Sequence, residues 1–377
     1  MDTEKKSFLQ RPGVQTLLSS LLCILIGLLI GYIVLLIINP ANASEGIRYV
    51  ILNFLTKARP QAVIKNLGNT LVKTSPLLMC ALSICFCYKV GLFNIGAAGQ
   101  YEAGAVASLY CAIALHLPWY ICLIAAAAAG ALLGLISGAL KAYRNVNEVI
   151  SGIMLNWITL YICNMVLGRE GIKETASPYT VTLNAKYASS RIPSCGLDKL
   201  FANNTNVTIA IPIAIICAIL VWVVLNKTKF GYELRATGYN KNAAKYAGMK
   251  ENRNIILTLV IGGALAGLGA AFLFLSGYQK WSTTQTSVPN MGFNGIAATF
   301  LGGLHPIGTI FASFFIQSIT DGGSSLTKLG YASQISDMIS GIIIYLCGFV
   351  LFFKYVMNKR GAKKYEKKVE ESKGGKN

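Results

Sequence analysis

The chain has 377 residues, 54% of them hydrophobic and 13% charged, and its 34 Lys+Arg against 15 Asp+Glu give a net charge of +19. An average soluble chain is about 25% charged, so this composition excludes a string of water-facing domains and makes lipid the solvent for most of the chain. The basic excess fits nucleic acid, an anionic membrane surface or an orientation signal, and the positions of the charges decide among them.

A spanning helix needs about 20 predominantly apolar residues. Val14 to Ile38 is the first such run, free of charge as far as Ser44 and preceded by Lys5, Lys6 and Arg11. It is too long for a signal-peptide core and lacks a clear small-x-small cleavage site, which predicts a retained span. Further spans are predicted at 67–88, 97–115, 119–140, 148–167, 207–226, 255–276 and 335–356. The charge-free region 292–320 is broken by Gly302-Gly303-Leu304-His305-Pro306. A proline interrupts a helix, so two short spans, 292–304 and 307–320, are predicted there. The fold class is therefore an all-α polytopic membrane protein of about ten spans, some short or broken. A transmembrane domain, 14–356, lies between an N-terminal segment, 1–13, and a basic tail, 357–377.

The loops carry the charge. Lys227, Lys229, Arg235, Lys241, Lys245, Lys250 and Arg253 against Glu233 and Glu251 give the 227–253 loop +5. From Lys354 onward nine basic and three acidic residues give +6, and Lys141 and Arg144 mark the loop after the fourth span. Cytoplasmic loops carry the excess of Lys and Arg, which places these segments and both termini in the cytoplasm and 168–206, rich in Ser, Asn and Pro, outside. Segment 40–66 is the misfit, with Arg48, Lys57, Arg59 and Lys65 against Glu45; an amphipathic piece along the outer interface reconciles it, and so does a different number of spans. Nucleic acid drops out, because the basic segments flank spans and lack interleaved stacking aromatics. Of ten cysteines only Cys195 lies in a polar loop, and the only histidines are His116 and His305. No metal spacing or disulfide framework is read from them.

Two stretches echo one another. Gly91-Leu92-Phe93-Asn94-Ile95-Gly96-Ala97-Ala98 opens the third predicted span, and Gly292-Phe293-Asn294-Gly295-Ile296-Ala297-Ala298 the eighth. An odd number of spans per repeat reverses direction, which predicts two inverted five-helix repeats. Gly-interrupted segments at matching places in such halves point to a transport site near the midplane; packing and hydrogen bonding between helices is the plainer alternative. In the cytoplasmic loop, glycines punctuate residues 231–248, and Ala243, Ala244 and Ala247 are expected on one face of a short helix. Such a face suits a groove on another protein; an ordinary solvated loop is the alternative.

This loop resembles the coupling loop of ABC-importer permeases, in the branch for branched-chain amino acids, ribose-type sugars and nucleosides. Gly91 to Gln100, Asn147 to Asn156, and Gly292 to Ala297 running on to Leu301-Gly302-Gly303-Leu304-His305-Pro306-Ile307-Gly308 resemble its simple-sugar and nucleoside members. The resemblance covers most of 65–350 in the expected order, with one departure: Ala98 stands where the family usually has an acid. It implies a permease subunit in a bacterial cell membrane, without catalytic residues, metal or cofactor of its own. ATP and Mg would sit on a partner ATP-binding subunit with two nucleotide-binding cassettes. The chain's lack of a Gly-x-x-x-x-Gly-Lys-Ser/Thr motif agrees with that division. A substrate-binding lipoprotein outside and a second, related permease forming a heterodimer would complete the assembly.

The coupling residues implied are Gly231, Glu233, Arg235, Gly238, Asn240, Ala243, Ala244, Ala247 and Gly248. For substrate, Phe93 and Phe293 offer faces for a base or sugar, and Asn94, Gln100, Asn156 and Asn294 offer uncharged amides suited to a neutral solute. Trp157 reads as core. Glu102 and Glu148 are the acids placed in or beside spans, and Glu148 is expected to pair near Arg144. A proton- or sodium-coupled carrier is the alternative function, with Glu102 its best relay candidate. Nucleoside ranks above free sugar, and an amino-acid zwitterion trails because no paired charges stand out in the spans.

Overall fold

The computed structural model describes residues 12–57, 59–183, 185–350, 352–353 and 355–356. The N-terminal segment as far as residue 11 and the basic tail from 357 lie outside the described residues. Among the described residues fourteen α-helices carry the fold, and β-structure is limited to isolated bridges. They are α1 (Pro12–Ile38), α2 (Ala43–Leu52), α3 (Pro60–Lys89), α4 (Ala97–Ile113), α5 (Trp119–Arg144), α6 (Glu148–Leu167) and α7 (Leu197–Leu200). The second half adds α8 (Ala210–Lys227), α9 (Lys229–Tyr239), α10 (Lys241–Tyr246), α11 (Glu251–Phe274), α12 (Asn290–Leu301), α13 (Pro306–Ser324) and α14 (Ser333–Cys347). Six of these helices, α1, α3, α5, α6, α8 and α11, are long and apolar enough to cross a membrane. The other predicted spans overlap α4, α12, α13 and α14.

The helix boundaries follow local chemistry. Asn147, Thr228 and Asn240 cap α6, α9 and α10 by accepting from the N–H groups of Val149, Gly231 and Ala243, the ordinary role of such side chains at a helix start. Proline at the first turn opens α3 and α13, where it costs no hydrogen bond. The break at 302–305 holds: Gly303 and Leu304 turn left-handed between α12 and α13. Helix α3 starts at Pro60 rather than at 67. The amphipathic reading of 40–66 holds for α2, which buries Ala43, Gly46 and Val50 and exposes Glu45 and Arg48.

Helix α3 is the axis. Its residues from Ser75 to Cys87 are all buried, as in a helix surrounded on every side. A larger core gathers α3, α4, α5, α6, α8 and α11; a second gathers α1, α2, α12, α13 and α14 against Leu77 and Ala81 of α3. The tightest join is between α5 and α11. Ala126, Gly130, Gly134 and Gly138 recur every four residues along α5 and meet Ile256, Leu259, Gly263 and Gly267 of α11. A Cβ on Gly130 or Gly134 would run into the carbonyl oxygen of Gly263 or Leu259, and one on Gly138 would lie 2.9 Å from the Cα of Ile256. Lipid removes most of the hydrophobic drive for helix association, so close backbone approach through small residues takes its place.

At the other end of α6 and α11 the 168–206 segment is zipped onto residues 275–283. Ile192 N donates to Leu275 O at 3.1 Å, Thr180 N to Trp281 O at 3.0 Å and Thr283 N to Pro178 O at 2.8 Å. Arg191 Nε donates to Ser276 O at 3.0 Å, and Lys280 pairs with Glu174 at 2.7 Å. This segment is therefore a folded cap, with Trp281 buried beneath it.

Gly134→Ala should destabilise the chain by about 2–3 kcal/mol, as overpacked cores do. Gly341→Ala, with open space around it, should be neutral or gain up to about 1 kcal/mol of helix propensity; thermal unfolding in detergent separates the two. Hydrogen bonds from Lys280, Ser177 and Thr182 hold the Glu174 carboxyl down to about 2. That lies below its unfolded value of about 4.3, so this clasp contributes fully above the unfolded value and is lost as pH falls toward the folded one. Exchange protection of the Thr180 amide should hold from about pH 5 to 8 and decline only below about pH 4.

Candidate functional site

The two echoed motifs meet. Gly91 to Gly96 forms the turn between α3 and α4, whereas Gly292 to Ala298 lies inside α12. A Cβ on Gly292 would stand 2.6 Å from the Ala98 nitrogen and 2.8 Å from the Ala98 Cβ. The small side chain at 98 thus fits a close helix contact that a larger, acidic one would push apart. On the opposite side Gly96 touches Gly152, and Gly99 lies beneath Asn156.

Three of the predicted amides knit this junction together. Asn94 Nδ2 donates to Ser83 Oγ at 2.9 Å and to Gln100 Oε1 at 2.8 Å, and Gln100 Nε2 returns a bond to Asn94 Oδ1 at 3.2 Å. Asn156 Oδ1 accepts from Gly99 N at 2.8 Å while its Nδ2 donates to Ile95 O at 3.1 Å. All three side chains are buried, and their hydrogen bonds tie α3, the turn, α4 and α6 into one unit. Phe93 and Asn294 are half-buried and Phe293 is 37% exposed, so these three keep open surface. Asn294 lies within α12 with its side chain part-exposed.

The acids divide. Glu148 pairs with Lys141 at 2.8 Å, not with Arg144, because Lys141 lies closer across the α5–α6 turn. Glu102 is fully buried in α4, and neither carboxylate oxygen has a hydrogen-bond partner among the described residues. Trp157 is not core: it is 42% exposed on the outer face of α6, 6.5 Å from the Tyr161 ring. The periodicity of an apolar helix does not show which face lacks a neighbour. Cys23, Cys80, Cys85, Cys87, Cys122 and Cys163 are buried free thiols, as expected of small hydrophobes, and Cys195 is exposed.

The 227–253 loop folds into the α9–α10 pair. Asn240 ends one helix and caps the other. Ala243 and Ala247 face outward while Ala244 turns inward, so the three do not share one face; the i,i+4 pair does. Tyr239 and Tyr246 are 91% and 92% exposed. Grooves of about 430 and 450 Å³ flank the pair, one lined by Glu233, Ala247 and Gly248, the other by Arg235, Asn240, Ala243 and Ala244. Gly231 packs on the backbone of Val224 and Leu225, and Gly238 lies directly on the Val90 carbonyl, with Gly91 N 3.0 Å from a Cβ built there. Asn254 of α11 donates to Thr237 Oγ1 at 2.8 Å. The exposed pair is thereby joined by backbone contact to the turn that carries Asn94.

Lys73, within the predicted 67–88 span, forms an ion pair with Asp321 of α13 at 2.9 Å. The available signal was a lysine interrupting an apolar run.

The profile of the family described as "Branched-chain amino acid transport system / permease component" matches residues 66–348. The chain is 31% identical to the nucleoside ABC transporter permease protein NupB of Lactococcus lactis subsp. cremoris, over 91% of this chain and 93% of that one. It is 32% identical to the guanosine ABC transporter permease protein NupP of Bacillus subtilis, over 78% and 83%. Similarity extends to the glucose ABC transporter permease protein TsgB13 of Haloferax volcanii, at 28% over 76% and 77%. No solved structure matches the chain.

Replacing Asn94 by Leu should strand the Ser83 hydroxyl and the Gln100 amide at about 1–3 kcal/mol each. Asn294→Leu should leave stability nearly unchanged. Thermal unfolding of the two variants in detergent is the check.

Proposed function

Because the chain belongs to the branched-chain amino acid transport system permease family, we propose that it carries a nucleoside or related simple sugar inward through an ABC importer. Members are permease components, so the chain is a multi-pass transport subunit and not an enzyme. Hydrolysis belongs to a separate ATP-binding subunit. In this reading α4, α12, α13 and α14 complete ten spans in two inverted five-helix repeats, with both termini in the cytoplasm. The observation that carries the reading is the contact of Gly238 with Val90 and Gly91. It joins an exposed, tyrosine-rich cytoplasmic surface to the turn held by Asn94, Gln100 and Asn156.

The mechanism follows from that joint. A subunit with two nucleotide-binding cassettes, carrying ATP and Mg, presses on α9–α10 through Glu233, Arg235, Asn240, Ala243 and Ala247. Gly231, Gly238 and Gly248 let the pair sit close to the membrane domain or turn beneath it. Because a Cβ at Gly238 would collide with backbone rather than with a yielding side chain, displacement of α9 moves the Val90–Gly91 turn directly. The amide knot then moves the ends of α3, α4 and α6 together. Phe93, Phe293 and Asn294 are the predicted contact residues with surface free for a solute, while Asn94, Gln100 and Asn156 hold them in position. The folded cap of 168–206 is the docking face for a substrate-binding lipoprotein, and a second, related permease completes the pore. Nucleoside ranks first because relatives matched over most of this chain carry nucleoside and guanosine in their names.

Affinity purification should recover an ATP-binding subunit. Gly238→Ala should retain that subunit while uptake per ATP hydrolysed falls about tenfold or more, and Glu233→Lys should weaken its retention. Uptake driven by a proton gradient in vesicles holding this chain alone would overturn the reading.

A further inference from the structure

We propose that the Lys73–Asp321 cluster is a binding site for the ring of a solute bearing adjacent hydroxyls, such as a ribose. The inference rests on the nucleoside or sugar reading above and specifies where that solute first meets charge. Lys73 lies sixteen residues before Lys89 at the end of α3, which is about 24 Å along the helix. It therefore falls within the roughly 30 Å hydrocarbon thickness, on the side away from α9–α10. Ionisable residues at such depth are rare, face the protein interior or a water-filled space, and mark solute or ion routes.

The arrangement has open valences. Asp321 Oδ1 accepts from Lys73 Nζ at 2.9 Å and from Gln317 Nε2 at 2.9 Å, and Oδ2 accepts from Thr70 Oγ1 at 3.1 Å. Thr70 in turn accepts from Asn53 Nδ2 at 3.1 Å. A carboxylate offers about four acceptor sites and an ammonium three donors, so Oδ2 retains an acceptor site and Lys73 retains donors. Thr70 and Asn53 are buried behind the pair, while the Lys73 and Asp321 side chains remain 28% and 13% exposed. Lys73 Nζ stands 5.3 Å from the centre of the Tyr278 ring.

An aromatic face, a carboxylate with a free acceptor site and a cation with free donors are what an uncharged polyol ring requires. The solute ring packs against the side of Tyr278 that Lys73 does not cover, and its adjacent hydroxyls donate to the carboxylate and accept from the ammonium. A clamp between α3 and α13 would not need this chemistry, since apolar side chains hold buried helices at least as well as an ion pair. An amino-acid zwitterion is the competing ligand: its carboxylate would face Lys73 and its ammonium Asp321. Here the two charges already neutralise each other at 2.9 Å, which leaves hydrogen-bonding capacity and no net charge for the solute to match.

The test uses the complete transporter in proteoliposomes, with uptake measured for a ribonucleoside, for its 2′,3′-dideoxy analogue and for leucine. The wild type should favour the ribonucleoside, and Asp321→Asn should narrow that preference on the order of tenfold, the effect of losing charge-assisted hydrogen bonds to the hydroxyls. The binding lipoprotein is common to both arms, so a changed ratio reports on the permease. Tyr278→Leu should slow both nucleosides and leave their ratio intact. If Asp321→Asn does not assemble, Gln317→Leu should narrow the ratio in the same direction. An unchanged ratio in whichever variant assembles overturns the site, as does leucine uptake that Asp321→Asn abolishes. If the assembled wild type takes up no nucleoside, the substrate reading fails in the wild-type arm itself and the site falls with it.

Discussion

The contact on which the remainder rests is the backbone-to-backbone join of α5 and α11. Inside a bilayer two helices gain little by hiding apolar side chains from one another, because lipid tails are equally apolar. What holds them is dispersion at close range, and glycine and alanine at every fourth position of α5 make that range possible. Once α11 is fixed, its length positions much else. Gly262 lies against Cys87, Asn94 and Ser83, Asn254 reaches the α9–α10 pair, and the end of the helix leads into the segment that the 168–206 cap is hydrogen-bonded to.

Polar groups are distributed by the same logic. In hydrocarbon an unsatisfied donor or acceptor is costly, and Asn94, Gln100 and Asn156 bond to one another, to Ser83 or to backbone. Their value lies in fixing the non-helical turn between α3 and α4 against α6. Charge obeys a stricter version. The Lys141–Glu148 pair sits at the α5–α6 turn, and the Lys73–Asp321 pair is backed by neutral donors. Glu102 stands apart, buried in α4 with no compensating group among the described residues.

Much of this was legible in the amino-acid sequence because the bilayer imposes a length and an apolarity on each span. The break before Pro306 was visible for the same reason: proline and paired glycines leave few conformations open. The roles of individual residues were harder. An amide such as Asn94 in an apolar run advertises hydrogen-bonding capacity without naming its partners, and only the structure shows that Ser83 and Gln100 are among them. Trp157 read as core because apolar periodicity does not distinguish a face turned to a neighbour from one left uncovered. Lys73 and Asp321 lie far apart in sequence, and no local pattern joins them. The contact of α9 with Gly91 is hidden for the same reason, although the glycines at both positions stand out in the sequence.

The glycine seam also carries a consequence for biosynthesis. Helix α5 enters the membrane well before α11 exists, with all of α6 to α10 still to be made. During that interval Gly130, Gly134 and Gly138 present bare backbone to lipid or to whatever small-residue helix is nearest. The chain must then keep α5 unpaired, or loosely paired, until its proper neighbour is inserted. Termination after α8 would leave this glycine surface without the helix it fits.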